Sequence, residues 1–132
     1  MNKLLKLLGT SLLIILLSVA TAFIIYTRAQ GDPIDEMVKY SYETPEITTD
    51  LQDGSFVRIQ FQIVTDGKKA KEEIAKRDFQ LKNILIKELS LLTEEEFTTD
   101  LDSLEKTVRE KLNELMTEGE IVDVYTISKI LQ

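Results

Sequence analysis

The sequence contains no cysteine and no histidine. Without cysteine there is no disulfide framework and no thiol chemistry. Without histidine, the commonest general base and the commonest transition-metal ligand are both missing. Positive charge is scarce as well: 16 basic residues face 23 acidic ones, a net charge of −7. Setting aside Lys3 and Lys6 leaves the remainder at −9. An acidic domain repels phosphate backbones, so a nucleic-acid partner is excluded. It is repelled by anionic lipid surfaces too, and is expected to stand off the membrane. Only two prolines occur, Pro33 and Pro45.

What is abundant is apolar sequence near the start. Residues 7–26 read LLGTSLLIILLSVATAFIIY, with no charge in the run. Twenty helical residues span roughly 30 Å, the thickness of a bilayer's hydrocarbon core. The hydroxyls of Thr10, Ser11, Ser18 and Thr21 can bond back to carbonyls one turn earlier. The run fits an uncleaved membrane anchor. Ala20-Thr21-Ala22 also fits the cleavage site of a secretory signal peptide, the alternative reading. The apolar run continues past that site through Phe23-Ile24-Ile25 to Tyr26, where an interfacial aromatic belongs. Lys3 and Lys6 outnumber Arg28, which places the rest of the chain outside the cytoplasm under either reading.

The organisation expected is a cytoplasmic tail (1–6), a transmembrane helix (7–26), a juxtamembrane linker (27–53) and an extracytoplasmic domain (54–132). In the linker, Asp32-Pro33 reads as a helix start, with Ile34, Met37 and Val38 on one face. Pro45 makes residues 40–47 an edge strand or extended linker. Asp53-Gly54 marks a turn. From Phe56 to Thr65, Val57, Ile59, Phe61 and Ile63 alternate with Arg58, Gln60 and Gln62, a half-buried strand. Residues 68–92 carry a helical stripe of Ile74, Leu81, Leu85, Leu89 and Leu92, with a solvated face that includes Glu73. Thr93 and Glu96 have capping-box spacing ahead of Phe97. A second helix, capped by Thr99 or Asp100, carries Leu101, Leu104, Val108, Leu112 and Leu115, and ends near Gly119. Residues 121–131 form the last strand, with Val122, Val124 and Ile130 on one face and Ile121, Tyr125, Ile127 and Leu131 on the other. Apolar residues on both faces suggest an interior strand, or a free face used by a partner. The order strand–helix–helix–strand gives an α+β domain, two helices against one face of a small sheet.

No catalytic, cofactor-binding or metal-ligating set emerges. Glu94-Glu95-Glu96 reads as favourable charge at a helix N-terminus, since consecutive carboxylates on a turn diverge. Ser128 and Lys129 cannot act as nucleophile and base, because strand neighbours point to opposite faces. Tyr40 and Tyr42 share a face and read as packing, with a docking patch as the alternative. The residues describe an anchored, acidic interaction module rather than an enzyme.

Three stretches add a resemblance. Residues 76–90 (KRDFQLKNILIKELS), 42–51 (YETPEITTDL) and 119–125 (GEIVDVY), with the terminal Gln132, resemble the flagellar basal body-associated FliL family. The resemblance covers nearly the whole chain. It departs at residues 126–129 (TISK), where a more aromatic strand is expected. It implies a single-pass inner-membrane protein whose external domain has the stomatin (SPFH) type of fold. The implied partners are the stator complex and basal body, with homo-oligomerisation into a ring, and no cofactor or small-molecule substrate. The implied role is support of stator engagement, torque, motility and chemotactic switching.

Overall fold

The apolar run is helical well beyond its minimum spanning length. The computed structural model describes residues 1–29 and 33–132, in two units, Met1–Asp35 and Glu36–Gln132. Helix α1 (Asn2–Ala29) has 28 residues, none buried, and extends about 42 Å. It is long and apolar enough to cross a membrane. Its hydroxyls donate backward along the helix: Thr10 to Leu7 O (2.9 Å), Ser11 to Leu8 O (2.9 Å) and Ser18 to Ile15 O (2.8 Å). Thr21 does the same toward Ser18 O at 2.9 Å. Each polar group is thereby satisfied without water, the condition a hydrocarbon environment imposes. The helix cap expected at Asp32 lies outside the described residues; the short helix α2 runs Pro33–Lys39.

The second unit is α+β and built on one central strand. Strands β1 (Ser41–Glu43) and β2 (Ile47–Asp50) lie end to end along one side of β3 (Phe56–Thr65), both antiparallel. The segment expected as an edge strand or linker is thus paired to the sheet. Pro45 interrupts it, and Thr44 bridges the gap. Thr44 N donates to Phe61 O at 2.9 Å, and the Thr44 hydroxyl accepts from Phe61 N at 3.0 Å. The turn into β3 uses Gly54 at φ +86°, with Asp53 accepting from Ser55 N at 3.1 Å, an Asx-type turn.

The expected single helix over 68–92 is two: α3 (Lys68–Lys76) and α4 (Asp78–Leu89). Arg77 forms the break at φ −88°, ψ 14°. Ile74, Leu81, Leu85 and Leu89 stay buried across it, so the apolar period carries no trace of the interruption. Thr93 caps α5 (Glu94–Thr99) with the expected reciprocal box: its hydroxyl accepts from Glu96 N (3.2 Å) and its N donates to Glu96 Oε2 (2.9 Å). Asp100 precedes α6 (Leu101–Leu115), but its carboxylate accepts from the Ser103 hydroxyl at 2.9 Å and caps no main-chain N–H.

Strand β4 (Ile121–Leu131) pairs antiparallel with β3 alone, on the side away from β1 and β2. It is an edge strand, not an interior one. Its register slips near Val122 and Ile127, each slip reversing the alternation of faces. The expected grouping of Val122 with Val124 therefore fails: Ile121 and Val124 are buried, and Val122 is exposed. The helices cover one face of the sheet. There Val57, Ile59, Phe61 and Ile63 meet Leu81, Leu85, Leu89, Phe97, Leu104, Val108 and Leu112.

Gly119 is not a helix terminus. Helix α6 stops at Leu115, with Met116 extended. Gly119 lies where the following loop crosses α3, and a Cβ there would fall 2.6 Å from the Ala70 Cβ. Glu73, expected on a solvated face, holds the same loop. Its carboxylate accepts from Thr117 N (2.7 Å), the Thr117 hydroxyl (2.8 Å) and Glu118 N (3.0 Å), and pairs with Arg77 at 3.5 Å. Desolvation pushes this carboxyl up, but the donors and Arg77 outweigh it and hold it below the ordinary carboxylate range.

Candidate interaction surfaces

The residues that invited chemical readings have structural work. Glu96 closes the capping box, and Glu94 accepts from the Ser55 hydroxyl. Lys129 lies on the helix-covered side, 5.6 Å from the Phe97 ring centroid, with Nζ donating to Thr98 O at 3.3 Å. Strand alternation sends the neighbouring Ser128 to the other face, opposite Gln60. Among the described residues no cluster of acidic side chains has the geometry to hold a metal ion.

What the second unit offers is surface. The first patch lies on β4, where Val122, Tyr125, Ile127 and Ile130 are each 42–50% exposed. Asp123 stands near Tyr125 and raises its phenol above the usual range by hydrogen bonding and by charge. The free main-chain edge of β4 is guarded at its middle: Thr126 N donates to Glu105 Oε2 at 2.6 Å. A carboxylate occupying a strand-edge donor opposes addition of another strand there. The patch is thus suited to side-chain docking.

The second is a 570 Å³ groove between α4 and α6, lined by Phe79, Ile84, Lys111 and Leu115 among others. Phe79 is 70% exposed at its rim. Lys111 crosses from α6 to Glu88 on α4 at 2.7 Å, and that partner raises its ammonium above the usual range.

The third is a 440 Å³ cavity lined by Tyr40 and Tyr42 with Lys39, Lys68, Lys71 and Glu72. The two tyrosines are half-buried. Burial and the Asp78 carboxylate both raise the Tyr42 phenol, which donates to Asp78 Oδ1 at 3.1 Å. Tyr42 packs against the core, as expected, and both rings wall the cavity. The sequence did not point to the lysines around them. The only available signal was Lys39-Tyr40 and the lysine-rich residues 68–71 within an acidic chain.

Comparison with known proteins gives concordant results. A family described as "Flagellar basal body-associated protein FliL" matches residues 41–132, which begin with the first residue of β1. A protein of Bacillus subtilis (strain 168), "Flagellar protein FliL", is 36% identical over 101 residues, covering 75% of this chain and 72% of that protein.

Proposed function

Since the chain belongs to the flagellar basal body-associated FliL family, we propose that it is a non-enzymatic accessory of the flagellar motor. It sits in the inner (cytoplasmic) membrane as a single-pass protein through α1, with its C-terminal domain, of the stomatin (SPFH) type, outside the cytoplasm. There it associates with the stator units and supports torque, motility and the chemotactic control of rotation. It works as a ring of identical copies.

The family match carries the motor reading. The uncharged run 7–26 within α1, a helix with no buried residue, supports the anchor, and Lys3 and Lys6 ahead of that run support the orientation. The ring is supported by surface. A closed ring needs a heterologous contact, in which one patch meets a different patch on the next copy. The β4 patch and the groove between α4 and α6 are two such unlike apolar surfaces. Residues 27–52 supply, as the family resemblance implies, the linker that reaches the stator's own external linker.

The test is localisation in living cells, with the cytoplasmic end tagged and the flagellar bases labelled. Foci coincident with the bases that fade when the stator genes are deleted are expected. An even membrane distribution indifferent to flagella, or unchanged torque in cells lacking the chain, would overturn the reading.

A further inference from the structure

The second unit carries 13 basic and 21 acidic residues, a net −8. Against that background the cavity beside Tyr40 and Tyr42 is rich in positive charge: three lysines and one glutamate line it, and Asp78, which accepts from the Tyr42 hydroxyl, is paired with Lys82 at 3.1 Å. We propose that this cavity binds the phosphate headgroup of an anionic phospholipid in the membrane that α1 spans. The proposal rests on α1 as an anchor and is independent of any stator contact.

Three observations carry it. First, the lysines are poised. Lys71 Nζ donates to Lys39 O at 3.1 Å, which fixes its ammonium while leaving two of its three donors for an anion. Lys39 Nζ lies 5.3 Å from the Tyr40 ring centroid, and neither lysine is ion-paired among the described residues. Lys68 makes only a 4.0 Å contact with Glu72, both side chains well exposed, and such a pair yields readily to a phosphate.

Second, the lining suits a lipid rather than a free anion. Half-buried tyrosines give apolar walls with polar tips, the kind of side chain enriched where hydrocarbon meets headgroup. Val38, one residue before Lys39, is 65% exposed and can enter the headgroup region. Third, covalent reach suffices. Lys39 follows the end of α1 by only ten residues, a short covalent tether to the anchor. The repulsion expected from the net charge is a long-range effect. Charges more than about 8 Å away are screened at physiological ionic strength, so the lysines dominate at the cavity.

The test uses the full chain in nanodiscs of phosphatidylcholine alone or an equal mixture with phosphatidylglycerol, read by amide hydrogen exchange. In the anionic discs, exchange over 37–42 and 68–75 is expected to slow about fivefold, while the α6 core is unchanged. The K39Q/K68Q/K71Q variant should lose this protection, and the corresponding triple arginine variant should keep it. Equal exchange in the two membranes, or protection that survives the glutamine changes, would overturn the proposal. Protection in neutral discs on adding inorganic phosphate at millimolar concentration would overturn it in favour of a free-anion site. Protection appearing only when an acidic peptide is supplied would assign the cavity to a protein partner instead.

Discussion

Replacing Gly119 by alanine places a methyl group where the loop after α6 crosses α3. The new Cβ would lie 2.6 Å from the Ala70 Cβ and 2.5 Å from Asp66 Oδ1. Carbon atoms rest at about 3.5–4.0 Å, so the loop or α3 must shift by roughly 1 Å. Neither partner is free to yield. Ala70 is fully buried, and Asp66 accepts from Glu120 N at 3.1 Å. Overpacking of this kind costs about 1–3 kcal/mol, and losing the Asp66 hydrogen bond adds about 1 kcal/mol. Gly119 also sits at φ +155°, where an alanine is strained by a further ~1–3 kcal/mol, so the expected loss is roughly 3–7 kcal/mol. Urea unfolding of the detergent-solubilised full chain, followed by far-UV circular dichroism, reads it, because α1 contributes a constant helical signal. A70G supplies the control. Alone it costs about 2 kcal/mol, roughly 1 for glycine in a helix and about 0.8 for the buried methyl. Combined with G119A it removes the Cβ overlap, so the double variant should be at least about 1 kcal/mol more stable than the two losses summed. Strict additivity, or a loss below about 0.5 kcal/mol for G119A alone, would refute the reasoning.

Other consequences are open to the same assay. Leu85 is fully buried, and L85A should cost about 2–5 kcal/mol, whereas a loss under about 1 kcal/mol would mean that the helix face is misassigned. T93A removes one half of the α5 capping box and should cost about 0.5–2 kcal/mol, while T93S should be nearly neutral. The Glu73 carboxyl is held below its ordinary 4.5 in the folded chain. Its contribution is therefore present above that value and lost as pH falls through the lower folded value. The urea midpoint of the wild type should drop on acidification below 4.5 more steeply than that of E73Q, and parallel profiles would contradict the assignment.

Much of the fold was legible because it follows from periodicity. The alternation in Phe56–Thr65 and the leucine spacing in α6 fix which side chains turn inward, and Thr93 with Glu96 fixes a helix start. What periodicity does not encode is a single-residue discontinuity. Arg77 breaks a helix with neither glycine nor proline, and the stripe from Ile74 to Leu81 resumes in phase because seven residues make nearly two turns. The slips at Val122 and Ile127 do the opposite, shifting the phase of β4 by one residue each. A reading by strict alternation therefore placed Val122 on the wrong face. Glu73 and Gly119 escaped for a third reason: their roles are contacts with segments more than forty residues away, which no local window contains. The lysine cavity is of this last kind, since Lys39 and Lys71 meet only once β1 has paired with β3 and α3 has folded back.

The distribution of polar groups separates stability from recognition. Several acidic and amide side chains act on main-chain groups at the joints of the fold. Glu73 holds Thr117 and Glu118, Asp66 holds Glu120, and Glu105 holds Thr126. Asn113 bonds both the N–H and the carbonyl of Ile121, at 2.7 and 3.0 Å. Groups so engaged are poor candidates for proton transfer or ligand exchange, because releasing them opens a loop. The lysines at the tyrosine-walled cavity differ. Lys39 and Lys68 are exposed and, with Lys71, add little to the core. Their loss should therefore change the urea midpoint by less than about 0.5 kcal/mol, as surface substitutions do. Removing Asn113, by contrast, should cost about 1–3 kcal/mol by leaving the Ile121 main chain unsatisfied. If the lysine variant proves as damaging as N113A, the lysines belong to the scaffold and the division fails. If it leaves the midpoint alone, the cavity is free to serve a ligand, and its charge can change without cost to the fold.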